Sequence, residues 1–131
     1  MKTRWETFEG RPNQSYAGGL RVTLSPKKVL LINEAVYNAL GRPAAVELRY
    51  DPETRTIGLA PKDIRHRNAF PIKGKTNDKK YRYNFIHAAP FCKHYEINPR
   101  RTILFTNIDM DNEGTLLLEL NTAVAIGRGS R

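Results

Sequence analysis

The chain has 131 residues, 40% of them hydrophobic, and a formal net charge of +9 at pH 7. That length suits one compact domain, and no stretch approaches the ~20 apolar residues of a membrane span, so no membrane association is expected. A single cysteine excludes an internal disulfide and fits a reducing compartment; the N-terminus lacks a signal peptide's apolar core, and the expected location is cytoplasmic.

Residues 1–19 read as an N-terminal arm in which Trp5 and Phe8 either pack as an i, i+3 pair or order on binding. In Leu20–Leu24, apolar Leu20, Val22 and Leu24 alternate with Arg21 and Thr23, the pattern of a half-buried strand. Ser25-Pro26-Lys27-Lys28 breaks it, because proline cannot donate to a ladder. Val29–Ile32 is a continuous apolar run, predicted as a buried strand. Asn33 is a suitable N-cap for a helix whose apolar face is Val36, Tyr37 and Leu40, with Gly41 at its C-terminal end and Pro43 beyond it. Ala45–Tyr50 and Thr56–Ala60 follow as strands around an Asp51–Arg55 turn led by Asp-Pro.

Residues 81–120 repeat this order: a strand at Tyr81–Ile86, a helix around Ala88–Tyr95, and strands at Arg101–Ile108 and Thr115–Leu120. Pro90 is acceptable only in the first turn of that helix. Val36–Leu40 answers Phe91–Tyr95 at an offset of 55 residues, and Thr56 answers Thr115 at 59, a drift that loop insertions would cause. A unit of about 40 residues is too small to bury a core alone, whereas two packed together can. The expected organisation is therefore an arm (1–19), a first half (20–61), a connector (62–80), a second half (81–120) and a tail (121–131).

The charge is concentrated. Residues 62–82 carry 8 basic and 2 acidic side chains, so two-thirds of the +9 lies in and beside the connector. Pro71, Gly74 and Asn77 give that segment the character of a loop. Its cations, with Phe70, Tyr81 and Tyr83 nearby, offer charge for phosphates and aromatic faces for bases; a solvated, solubilising linker is the plainer alternative.

LRVTLSPKKVLLINEAVYNALGRPAAVELRYD resembles the AbrB-type swapped-hairpin family of bacterial transition-state regulators, MazE antitoxins and MraZ proteins. In that family a strand and a Lys-Gly turn lead to a short strand ending Ile-Pro, a helix ending Leu-Gly, and a strand entering a hairpin. Lys27-Lys28 stands where Lys-Gly is usual and Ile32-Asn33 where Ile-Pro is usual, while Leu40-Gly41 matches. The resemblance covers residues 20–61, and 81–120 in outline only. It implies a mostly β fold with two short helices, an AbrB-like swapped-hairpin β-barrel formed as an intramolecular pseudo-dimer. It also implies binding of double-stranded DNA, with Arg21, Lys27 and Lys28 as the matching basic positions. Charge alone adds Arg65, Arg67, Lys73, Lys75, Lys79, Lys80 and Arg82 as nucleic-acid-binding candidates.

Enzyme chemistry has little to stand on. His87 and His94 flank Cys92, but on a helix both point well away from the thiol, and position 92 belongs to the apolar face. His87, Cys92 and His94 have no zinc-site spacing. Asp109, Asp111, Glu113 and Gly114 imitate the start of a calcium loop, yet the twelfth position is Leu120, and the segment reads as a hairpin turn with Gly114 left-handed. No cofactor and no catalytic residue are expected. The leading reading is a DNA-binding protein, a transcriptional regulator, able to form homo-oligomers. Its rivals are a module binding an acidic protein partner, antitoxin-like or scaffold, and an RNA or single-strand binder using Phe70, Tyr81 and Tyr83 for stacking.

Overall fold

The structure, a computed structural model, describes residues 19–76 and 82–126. Trp5, Phe8, Lys79, Lys80, Tyr81 and the last five residues lie outside the described part. The described residues form β1 (Val22–Leu24), β2 (Val29–Ile32), α1 (Glu34–Ala39), β3 (Ala45–Asp51), β4 (Thr56–Lys62), β5 (Ala69–Pro71), β6 (Lys73–Thr76), β7 (Arg82–His87), α2 (Ala89–Tyr95), β8 (Ile103–Leu104), β9 (Ile108–Met110), β10 (Leu116–Glu119) and β11 (Val124–Ala125).

The strands make two antiparallel sheets. The first has the order β11-β8-β1-β2-β7-β6 and the second β5-β3-β4-β10-β9. Within them, β1-β2-β7-β6 and β3-β4-β10-β9 each place the hairpin partners of the two chain halves around a central antiparallel pair. At the centre of the second sheet Gly58 faces Leu117, two positions 59 apart in sequence. The mostly β class with two helices is as expected, but the barrel is not closed. Among the described residues the four edges, β6, β11, β5 and β9, are only two to four residues long and are not hydrogen-bonded to one another, so no continuous ladder closes through them.

One core lies between the sheets. Val22, Leu24, Leu30, Ile32 and Ile86 enter it from the first sheet, and Val46, Ile57, Leu59, Leu116 and Leu118 from the second. All ten are at most 1% exposed, each burial worth about 1.5–3 kcal/mol. Asn84, buried like Thr23 and Thr115 among the polar residues, donates its amide to Glu34 Oε1 at 3.0 Å, tying β7 to the start of α1. Tyr50 of β3 meets Phe91 and Tyr95 of α2 with ring centroids 6.2 and 4.7 Å apart.

The helix ends show how local sequence sets the frame. Asn33 Oδ1 accepts from Val36 N at 3.1 Å and from Arg21 N at 3.2 Å, while its amide donates to Gly19 O at 2.6 Å. One side chain thus caps α1 and fixes the start of β1, work a proline at this position could not do. At the other end Gly41, at φ +88°, lets Arg42 N reach Tyr37 O. Pro90 sits in the first turn of α2, as its chemistry requires.

Two sequence expectations change. The connector read as loop contains β5 and β6, because each pairs along one edge with an established strand, β3 and β7 respectively. The strand expected at Tyr81–Ile86 is β7, which pairs with β2 and leads directly into a helix as β2 does. The strand expected over Arg101–Ile108 is broken into β8 and the start of β9, which belong to different sheets.

Candidate nucleic-acid interface

Strand alternation sorts the first sheet's side chains onto two faces. Leu30, Ile32, Asn84 and Ile86 point into the core, so their neighbours point out. The register places Lys73 opposite Phe85, Phe85 opposite Leu31, Leu31 opposite Thr23, Thr23 opposite Leu104 and Leu104 opposite Val124. A cation therefore ends a largely apolar row that crosses the whole outer face. Lys75 stands opposite Tyr83, and His87 opposite Val29. Leu31 is 39% exposed and Val124 47%, so this row presents apolar surface to solvent.

Tyr83, Phe85 and His87 form a ladder along β7, with centroids 6.4 Å apart for the first pair and 5.4 Å for the second. Beyond Leu31, Arg21 closes a shallow cavity with Tyr83, Thr23, Ile32 and Asn33. Among the described residues this outer face carries Arg21, Lys73 and Lys75 and no carboxylate.

Lys27 and Lys28 extend the basic surface at the β1–β2 turn. Lys28 N donates to Ser25 O at 2.9 Å and Ser25 N to Val29 O at 3.1 Å, a three-residue loop whose last residue is left-handed. That residue is Lys28, at φ +66°, so the turn keeps the geometry glycine would give while presenting a second cation. Lys28 O in turn accepts from Ala88 N at 2.9 Å, which locks the turn against the start of α2.

The other candidates divide. Arg65 and Arg67 occupy the exposed link between β4 and β5, both strands of the second sheet, and do not join this face. Arg65 is also engaged: its guanidinium holds Asp63 at 3.1 Å, which lowers the carboxyl's pKa and raises its own. Arg82 begins β7 opposite Thr76. Lys79 and Lys80 belong to the segment 77–81 outside the described residues. Phe70, half-buried, packs against the core from β5, a strand of the second sheet. The sequence reading missed Phe85, His87 and Leu31. Their signal was present in the alternation Tyr83-Asn84-Phe85-Ile86-His87, which puts three rings on one side of a strand.

The second sheet's outer face has the opposite polarity. Glu47, Asp51, Asp109 and Glu119 fall on it by register, against Arg49 and Lys62. Arg49 Nε binds Glu47 Oε1 at 2.8 Å and Asn68 donates to Oε2 at 3.2 Å, and these bonds pull the Glu47 pKa below its usual value. Cys92 is buried within the core, 1% exposed, and burial raises its thiol pKa. Residues 111–115 make the β9–β10 turn, with Asp111 Oδ1 accepting from Glu113 N and Thr115 N. Among the described residues no cluster of three or more His, Cys, Asp or Glu could hold a metal ion, and no helix is long and apolar enough to cross a membrane. Comparison of the chain with protein-family models, curated proteins and solved structures finds no match.

Proposed function

We propose that this chain is a non-enzymatic DNA-binding protein of the AbrB-like kind, a transcriptional regulator in which two halves form a pseudo-dimer with interleaved hairpins. The observation that carries the reading is the separation of charge between the two outer faces. Arg21, Lys73 and Lys75, with Lys27 and Lys28 at the adjoining turn, stand on the first sheet's side, and the carboxylates gather on the second. A duplex docked on the first sheet would meet cations without a carboxylate among them. The paired strand orders around β2–β7 and β4–β10 support the pseudo-dimer, since two interleaved halves would produce that arrangement.

The six residues of β7 extend about 20 Å at ~3.3 Å per residue, which spans roughly six base pairs at 3.4 Å each. Phosphate contacts from the five described cations would give a slope of about −4 to −5 for log K against log salt. Anisotropy titration of a labelled duplex from upstream of the gene, at several salt concentrations, tests this. Replacing Lys73 and Lys75 together by alanine is expected to flatten the slope by about 2, and Arg49→Ala, on the opposite face, to leave it unchanged. Equal slopes for all three proteins, or no binding near 0.15 M salt, overturn the reading.

A further inference from the structure

We propose, resting on the nucleic-acid reading above, that the outer face of β7 is a stacking site for unpaired bases of a single-stranded nucleic acid. Tyr83, Phe85 and His87 place three rings along one side of the strand, 6.4 and 5.4 Å apart by centroid with 40° and 84° between their planes, on the side of the sheet away from the core. Each of the first two has a lysine directly across the β6–β7 pair, Lys75 beside Tyr83 and Lys73 beside Phe85. Directly opposed side chains on a sheet have Cβ atoms about 5 Å apart, so each ring has a cation within reach. The ring–lysine unit then repeats after two residues, about 6.6 Å along the strand. An extended single strand asks for this repeat: a flat apolar surface for the base, and a positive charge beside it for the phosphate.

A duplex cannot use the rings in this way, because its base faces are already stacked and only their edges reach the grooves. Nor do the rings serve the core, since Asn84 and Ile86 alternate with them and point inward. Leu31, 39% exposed beside Phe85, widens the apolar platform. Arg21 stands across the cavity from Tyr83, where a base laid on that ring would bring a phosphate or its own edge. The absence of any carboxylate on the described part of this face makes its complement an anion, and the rings make that anion one that carries bases.

The test uses the full chain with labelled oligo-dT and oligo-rU of about a dozen nucleotides and a duplex of equal length, at fixed salt. Phe85→Leu and Tyr83→Leu keep apolar bulk on the strand, and circular dichroism checks that each folds. Each is expected to weaken single-strand binding about 5- to 150-fold, the equivalent of ~1–3 kcal/mol of stacking per base, while duplex binding stays unchanged. Phe85→Trp supplies a second readout, its fluorescence quenched by the single strand and not by the duplex. A larger loss with rU than with dT, or the reverse, assigns the strand as RNA or DNA. If both leucine variants bind single strands like the parent while the Lys73, Lys75 double alanine variant does not, stacking is refuted and the electrostatic reading stands. If no oligonucleotide binds, both fall. Poly-glutamate bound as tightly as the oligonucleotides also refutes stacking, and assigns the face to an acidic protein.

Discussion

Lys28 is expected to cost the fold and serve the surface, so its replacement by glycine should move stability and binding in opposite directions. An L-residue in the left-handed region is disfavoured by about 1–2 kcal/mol, and Lys28 sits there at φ +66°. Glycine removes that strain but loses about 0.4–1 kcal/mol through the greater freedom of the unfolded chain. The other terms are small. The Lys28 ammonium donates only to Pro26 O, exposed and at 3.3 Å, and the backbone bonds to Ser25 O and from Ala88 N survive the substitution. Lys28→Gly should therefore stabilise the protein by roughly 0.5–1 kcal/mol, which raises the urea midpoint by about 0.3–0.7 M for an m-value near 1.5 kcal/mol/M. The same variant should flatten the salt slope of duplex binding by about 0.9, the share of one phosphate contact. Lys27→Ala is the control: the same loss of slope, with stability changed by less than about 0.5 kcal/mol. A Lys28→Gly protein no more stable than the parent refutes the strain argument. One with an unchanged slope removes the turn from the interface.

The two helix ends offer a mirrored pair. Glu96 holds in α2 the left-handed place that Gly41 holds in α1, with Ile97 N donating to Cys92 O at 2.9 Å, so Glu96→Gly should gain about 1 kcal/mol and Gly41→Ala lose about as much in urea unfolding. No atom lies within 4 Å of an added Cβ at Gly41, so that loss would report the backbone alone. Glu47, whose folded pKa lies below the usual 4.5 through its bonds to Arg49 and Asn68, adds stability above that value and loses it as pH falls through the folded one. Glu47→Gln should shallow the loss of stability on acidification below about pH 4.5; Arg49 is 45% exposed, so the effect is small, and pH-dependent thermal unfolding would show it. Cys92, buried and with a raised thiol pKa, should react with a disulfide reagent at pH 8 only at the rate of opening, and at the rate of a free thiol once urea is added.

Local chemistry was legible wherever a residue type has one good use. Asn33, Gly41 and Pro90 announced the helix ends, and Asp51-Pro52 and Asp111 with Gly114 announced turns, because caps and turns are set by neighbours in sequence. What escaped was set by distant pairing. Lys73–Thr76 contains no large apolar residue, and nothing in KGKT marks a strand until β7 is there to receive its hydrogen bonds. With β6 unread, the strand expected at Tyr81–Ile86 had no hairpin partner. Only Ala88 separates β7 from α2, just as only Asn33 separates β2 from α1, and β2 and β7 are each the second strand of an antiparallel pair, with β1 and β6.

The pairing of β6 with β7 changes what the basic connector means. As a loop, its lysines would have been interchangeable surface charges. As β6, Lys73 and Lys75 are fixed at alternate positions, pointing the same way, each beside a ring of β7. Arg65 and Arg67, four to six residues beyond Pro61, share the composition of that segment but sit on the other sheet's link, one of them held by Asp63. The net charge of +9 is thus a poor guide by itself; pairing decides which cations act together. A mutation that preserves charge and breaks the match of cation to ring discriminates between the two views. Lys75→Thr with Thr76→Lys keeps the composition and moves one cation off the position opposite Tyr83. If composition governs, its binding should equal the parent's; if the β6–β7 register governs, binding should fall as far as it does for Lys75→Ala.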